Sequence, residues 1–81
     1  MKKLNLNLIK NQRKINKLSQ EDVAKKLGFN TLYPYHRRES GQQPFTAQEL
    51  YVLSKLYGVN IEYFFEELVA KNATDENSYP A

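Results

Sequence analysis

The sequence predicts an all-α domain built from five short helices. Apolar residues recur at helical spacing in several segments, each preceded by a capping residue or followed by glycine, and no segment alternates as a strand does. The chain has 81 residues, of which 41% are hydrophobic and 26% are charged. These values are typical of one small soluble domain, and they exclude a multidomain enzyme and a wholly disordered chain.

The first two helices are predicted from apolar spacing and from helix-end signals. Apolar residues at loose helical spacing in a basic segment predict helix 1 over residues 6–17. Helix 2 is predicted over about residues 19–27, because the Ser19 hydroxyl can accept a backbone hydrogen bond at the start and Gly28 follows the last apolar residue. Its first turn contains two acidic residues, which are stabilised by the positive end of the helix dipole.

Pro34 restricts where helix 3 can begin. Proline lacks the backbone N–H that residues beyond the first helical turn must donate, so it is tolerated only within that turn. The N-cap is therefore either Thr31 or Tyr33, and the sequence leaves both open. Either choice leaves residues 35–40 helical and places Gly41 just past the end.

Two more helices are predicted in the second half of the chain. Thr46 and Glu49 have the spacing of a capping box at the start of helix 4, which Gly58 ends. Asn60 is the expected cap of helix 5, whose broad apolar face extends over residues 61–69.

The remaining composition bounds the domain, the chemistry and the compartment. We expect residues 1–71 to form one domain and residues 72–81, which lack apolar periodicity, to form a flexible tail. The chain has no cysteine, and its single histidine, His36, has no partner at metal-ligand spacing, so we expect no metal, no cofactor and no catalytic residue. No apolar run approaches the ~20 residues of a membrane helix, and we expect a cytoplasmic protein.

Charge is distributed unevenly along the chain. Residues 1–40 carry ten Lys or Arg against three acids, whereas residues 41–81 carry two Lys against six acids. A basic half favours an anionic partner, such as nucleic acid or an acidic membrane surface. Lys10, Lys14 and Lys17 share one flank of helix 1, and they either approach such a partner or remain a solvated face.

The spacing of several motifs resembles that of one known family. These motifs are Leu18-Ser19-Gln20, Ala24-x-x-Leu27-Gly28, Glu39-Ser40-Gly41 and Leu50-x-x-Leu53-x-x-x-Tyr57-Gly58. Over about residues 5–68 the chain resembles the phage-repressor or XRE-type helix-turn-helix family. The resemblance implies a five-helix DNA-binding domain, commonly dimeric, in which helix 3 enters the major groove.

The resemblance also implies roles for single residues. Gln20 corresponds to a glutamine that contacts a DNA phosphate from the start of helix 2. Arg13 and Glu39 correspond to an ion pair that joins helices 1 and 3, and we expect this pair to orient helix 3 rather than to contact phosphate through Arg13. Tyr35 corresponds to a core position.

One extra residue separates this chain from the usual family spacing between the glycines that end helices 2 and 3. Counted back from the end of helix 3, the base-reading positions are Leu32, Tyr33 and Arg37. Counted forward from the end of helix 2, the first is Thr31 instead, and both registers stay open. Arg37 is the residue best suited to read a base, because a guanidinium can bond O6 and N7 of guanine together.

Arg38 departs from the family, which usually has an apolar or aromatic residue at this position. Either helix 3 is rotated, or the Arg38 stem lies on the core while its guanidinium reaches a phosphate. His36 and Ser40 are further candidates for DNA contact on helix 3. The predicted DNA-binding residues are Gln20, Thr31, Leu32, Tyr33, His36, Arg37, Arg38 and Ser40.

The apolar face of helix 5 is larger than one side of a small core needs. We expect part of it to form a weak two-fold interface that is completed on a palindromic operator. The alternative is that the core uses every one of these side chains. The predicted interface residues are Phe64, Phe65, Leu68 and Val69.

The basic half and the resemblance together predict a sequence-specific regulator of transcription that binds double-stranded DNA, most simply a repressor that occupies an operator. The alternative is a protein-interaction module, such as an antitoxin or an adaptor, that holds a protein partner through helix 5 and the acidic half. DNA binding would then be secondary or lost. An enzyme is not expected, because the sequence has no nucleophile paired with a base and no convergent carboxylates.

Overall fold

The computed structural model describes residues 2–66, which contain four α-helices and one 3-10 helix. In chain order these are α1 (Leu6–Ile15), α2 (Gln20–Lys26), α3 (Tyr33–Glu39), α4 (Ala47–Tyr57) and the 3-10 helix (Ile61–Phe65). No strand occurs among the described residues, so the all-α prediction is confirmed for them. The predicted tail over 72–81, the end of the predicted domain at 71 and the end of the predicted fifth helix lie outside the described residues.

The fifth element differs from the prediction in type and length. The sequence predicts an α-helix over residues 61–69, whereas the structure has a 3-10 helix of five residues, and the expected Asn60 cap makes no side-chain hydrogen bond. The backbone N–H of Asn5 donates to the Phe64 carbonyl at 2.7 Å, and its side-chain amide donates to the Glu66 carbonyl at 3.0 Å. The Phe64 carbonyl, which an α-helix over residues 61–69 would use internally, is therefore bonded to the start of α1.

The ends of α2 and α4 agree with the predicted signals. Ser19 Oγ accepts from the Asp22 N–H at 3.0 Å, and the Asp22 carboxylate accepts from the Ser19 N–H at 2.8 Å. Thr46 and Glu49 form the same reciprocal capping box. Gly58 ends α4 in the left-handed conformation with φ 67°, which glycine adopts without the steric cost of a Cβ.

The C-terminal end of α1 lies two residues before the predicted one. The helix ends at Ile15, and Lys17 then takes a left-handed conformation with φ 59°. The Leu18 N–H donates to the Arg13 carbonyl at 3.1 Å, a closing bond typical of helix C-termini. The chain passes from this closure directly to the Ser19 cap of α2.

The start of α3 lies between the two predicted registers. Its N-cap is Leu32 rather than Thr31 or Tyr33, so Pro34 occupies the second helical position. Leucine has no side-chain acceptor, and no side-chain cap bond forms. The His36 N–H donates to the Leu32 carbonyl at 2.9 Å and closes the first turn, in which Pro34 needs no N–H partner.

The core lies between all five helices. Each element contributes one fully buried large side chain, namely Ile9, Val23, Tyr35, Leu53 and Phe64. Burial of their apolar surface stabilises the fold by about 25 cal/mol for each Å² removed from water. The core packs against one face of α3 and leaves the opposite face of this helix at the surface of the protein.

Candidate nucleic-acid interface

Helix α3 has a buried face and an exposed face. Tyr35 is 0% exposed and occupies the core position that the resemblance implies, with Arg38 and Glu39 buried one turn further on. By contrast, Tyr33 is 59% exposed and Leu32 is 42% exposed. The leading end of α3 therefore projects from the body of the protein.

We call Thr31, Leu32 and Tyr33 the recognition tip. All three side chains are exposed. The first base-reading residue is therefore at the surface in both registers derived from the sequence, whether it is Leu32 or Thr31. The Arg37 guanidinium lies 5.8 Å from the centre of the Tyr33 ring, a distance at which a cation is attracted to the ring face. Arg37 and the recognition tip are thus brought together at one end of α3.

The ion pair between Arg13 and Glu39 is present in the structure. Arg13 Nε donates to Glu39 Oε2 at 2.9 Å, and Arg13 Nη2 donates to Glu39 Oε1 at 3.1 Å. Arg13 Nη1 also donates to the Leu18 carbonyl at 3.0 Å. The guanidinium is therefore directed at the protein, where it joins α1 to α3 and to the turn that precedes the Ser19 cap of α2.

Glu39 is the acceptor at the centre of a larger network. The Tyr35 hydroxyl donates to Glu39 Oε2, and the Gln20 amide nitrogen donates to Glu39 Oε1 at 2.9 Å. Burial alone raises the pKa of the Glu39 carboxyl, but the hydrogen bonds from Arg13, Tyr35 and Gln20 favour the ionised form, and its net pKa lies below the ordinary value. The network therefore keeps a negative charge inside the protein.

Gln20 is held on both sides of its amide. Its nitrogen donates to Glu39, and its oxygen lies 3.2 Å from Nδ1 of His36. A side-chain amide nitrogen carries two N–H groups, so the bond to Glu39 uses one of them. The contact of Gln20 with phosphate stays a prediction.

A small cleft opens between α1, the start of α2 and α3, and we call it the basic cleft. Its volume is about 200 Å³, and its lining residues are Lys10, Arg13, Lys14, Gln20, His36, Glu39 and Ser40. Arg13 and Glu39 neutralise each other, so the two lysines give the cleft a net positive charge that attracts anions. Three of the predicted DNA-binding residues, Gln20, His36 and Ser40, meet here.

The structure corrects the expectation that Arg38 contacts DNA. Arg38 is 8% exposed, its Nε donates to Glu49 Oε1 at 2.9 Å, and its Nη1 donates to the Pro34 carbonyl at 2.8 Å. The guanidinium also lies 4.7 Å from the centre of the Phe29 ring. Arg38 therefore joins the turn between α2 and α3, the start of α3 and the start of α4. This pairing was not predicted from the sequence, because there Glu49 is identified only as a capping residue and not as the partner of Arg38.

The predicted dimer interface also needs correction at one position. Phe64 is 0% exposed and belongs to the core, so it is not available to a second chain. Phe65 is half-buried and packs against the same core. Leu68 and Val69 lie outside the described residues.

Within residues 2–66, no helix has both the length and the apolar character needed to cross a membrane.

Comparisons with curated proteins and with solved structures give no match. A family model described as helix-turn-helix matches residues 9–64, more than half of the chain, from α1 to the 3-10 helix. Together with the exposed end of α3, this match shows that the chain belongs to the XRE-type helix-turn-helix family of DNA-binding regulators.

Proposed function

We propose that the protein is a sequence-specific repressor that binds a palindromic operator in double-stranded DNA. The observation that carries this proposal is the exposure of the recognition tip, with the Arg37 guanidinium 5.8 Å from the centre of the Tyr33 ring and Tyr35 buried in the core. A helix that reads the major groove presents its N-terminal residues in this way. Repression then needs no chemistry, since a bound protein occludes the operator.

Phosphate contacts supply the affinity that does not depend on sequence. The basic cleft is bordered by α3, which also carries Tyr33 of the recognition tip, and we assign its residues Lys10, Lys14 and Ser40 to the DNA-facing surface. Each phosphate that a cation neutralises releases counterions. The logarithm of the binding constant therefore falls by about 0.9 per contact for each tenfold increase in salt concentration. The tip reads bases, whereas the cleft positions the protein on the backbone.

Replacing Arg37 with alanine is expected to lower the preference for a selected operator over a scrambled duplex by about 5- to 150-fold. The reason is that a bidentate arginine–guanine contact contributes about 1–3 kcal/mol of discrimination. The operator is first selected from a random duplex library at about 50 mM salt. Dissociation constants are then measured for both duplexes.

Lys55→Ala is the matched control, because it removes one exposed cation from α4. Both variants lose the same charge, but only Arg37→Ala should lose sequence preference. Equal weakening on both duplexes would assign Arg37 to phosphate. If selection enriches no site and pull-down captures a tightly bound protein, the alternative function as a protein-interaction module replaces the proposed one.

The proposed repressor is a weak homodimer, which a palindromic operator requires. Phe65, half-buried at the end of the 3-10 helix, is the described residue of the predicted interface that remains accessible. Phe65→Glu is expected to shift the sedimentation coefficient toward the monomer at concentrations where the wild type self-associates. Thermal unfolding followed by circular dichroism controls for loss of fold, and a monomer in both proteins would reject the two-fold interface.

A further inference from the structure

The hydrogen bonds of Glu39 determine how the Gln20 amide is oriented. A carboxylate accepts hydrogen bonds and donates none, so the Gln20 atom 2.9 Å from Glu39 Oε1 must be the amide nitrogen. The reverse orientation would place the amide oxygen against an ionised carboxylate. Arg13 and Tyr35 donate to the same carboxylate and hold it in place.

The orientation of Gln20 then determines the tautomer of His36. Gln20 Oε1 lies 3.2 Å from Nδ1 of His36, and an amide oxygen only accepts hydrogen bonds. Nδ1 therefore carries the proton. In the neutral ring the other nitrogen, Nε2, has a lone pair and no proton.

This tautomer decides how His36 can interact with an anion. His36 lines the basic cleft, and Nε2 is the ring nitrogen that Gln20 does not engage. A lone pair at Nε2 repels a phosphate oxygen, whereas a protonated ring donates a charge-assisted hydrogen bond to it. A neutral histidine usually presents an N–H to an anion by exchanging tautomers, but here that exchange would set the Nδ1 lone pair against the Gln20 oxygen.

We propose that DNA binding is coupled to protonation of His36, because a backbone phosphate in the basic cleft binds the imidazolium and not the neutral ring. This proposal rests on the proposed function and adds its regulation by pH. The charged residues that line the basic cleft together with His36 are Lys10, Arg13 and Lys14 on α1 and Glu39 on α3, while α2 contributes the neutral Gln20.

The sign of the effect follows from these charges. Arg13 and Glu39 compensate each other, and a bound phosphate adds a negative charge beside His36 that favours the imidazolium over the neutral ring. A proton is therefore taken up when DNA binds. By linkage, affinity for DNA rises as the pH falls through the range in which histidines titrate.

The test uses a short duplex of arbitrary sequence, because phosphate contacts do not depend on sequence. Affinity of the wild type is measured by fluorescence anisotropy at about 50 mM salt between about pH 8 and pH 5.5. We expect it to rise by about tenfold over this range as one proton is taken up.

His36→Asn is the matched variant, because its amide N–H can replace Nδ1–H against Gln20 and does not titrate. Its affinity should be nearly independent of pH. Gln20→Ala releases the tautomer of His36, so the pH dependence of binding should become shallower in this variant as well. Both variants are compared with the wild type by thermal unfolding.

Nitrogen NMR of the wild type gives a readout that needs no variant. The chemical shifts of the His36 ring should show the Nδ1–H tautomer in the free protein, and the titration midpoint of His36 should move to higher pH when the duplex is added. Binding with equal pH dependence in the wild type and in His36→Asn, or an Nε2–H tautomer, would overturn the coupling and leave the proposed function standing. Absence of binding to the duplex and to the selected operator at every pH would instead overturn the proposed function, and the coupling with it.

Discussion

Glu39→Ala is expected to lower the free energy of unfolding by about 3–5 kcal/mol, because it leaves the Arg13 guanidinium, whose side chain is only 12% exposed, without its partner. Arg13 loses both acceptors of its bidentate pair, and the Tyr35 hydroxyl and the Gln20 amide lose theirs. Each of these groups is left with a donor that water reaches poorly. Urea unfolding followed by circular dichroism measures the change.

Glu21→Ala serves as the control for this variant. Glu21 forms an exposed pair with Lys25 across one turn of α2 at 3.8 Å, and such pairs contribute less than about 1 kcal/mol. If the two variants unfold at the same urea concentration, the buried network does not stabilise the fold as described.

The same network makes stability depend on pH. The folded-state pKa of Glu39 lies below its ordinary value, so its contribution is present above the unfolded pKa of about 4.3. That contribution is lost as the pH falls through the unfolded value and then the folded value. Glu39→Gln, which cannot ionise, should therefore lose less stability than the wild type when the pH is lowered from about 6 to about 3.

Arg38→Met is expected to lower the free energy of unfolding by about 3 kcal/mol, because it strands the Glu49 carboxylate in a poorly solvated position. The Arg38–Glu49 side chains are only 10% and 14% exposed, and the Pro34 carbonyl also loses a donor. The double variant Arg38→Met with Glu49→Gln should recover most of this loss. In the wild type the Thr46 N–H donates to Glu49 Oε1 at 2.9 Å. Glutamine keeps an oxygen that can accept this hydrogen bond, but it carries no charge.

A double-mutant cycle in urea measures this coupling. Additive effects of the two substitutions would show that Arg38 and Glu49 contribute independently. DNA binding supplies a second readout, since Arg38 points into the protein. The slope of the logarithm of the binding constant against the logarithm of the salt concentration should stay unchanged in Arg38→Met. Loss of a phosphate-binding arginine would instead reduce the magnitude of this slope by about one unit.

Most of the helix ends could be predicted because their causes are local. A capping box joins residues three positions apart, so Thr46 and Glu49 identify the start of α4 without knowledge of the fold. Gly58 ends the same helix for an equally local reason, its left-handed backbone. The start of α3 was harder, because Pro34 restricts the first turn but is compatible with several caps.

The candidate site could be predicted only in part. The resemblance supplied the Arg13–Glu39 pair, whose members are 26 positions apart and share no local pattern. It did not supply the inward direction of Arg38, because the family usually has an apolar or aromatic residue there. The bond between Gln20 and His36 was also missed, because it joins two helices and depends on how the intervening turn is built.

By itself the sequence determined the all-α class, the order of the first four helices, the capping residues of α2 and α4 and the placement of basic charge in the first half. These follow from backbone geometry, hydrogen bonding within one turn and composition. Only the tertiary structure decided that Arg38 pairs with Glu49, that Phe64 belongs to the core and that the fifth element is a 3-10 helix. Each of these outcomes depends on how one element is rotated against a distant one, and that rotation is set by the packing of side chains from the whole domain.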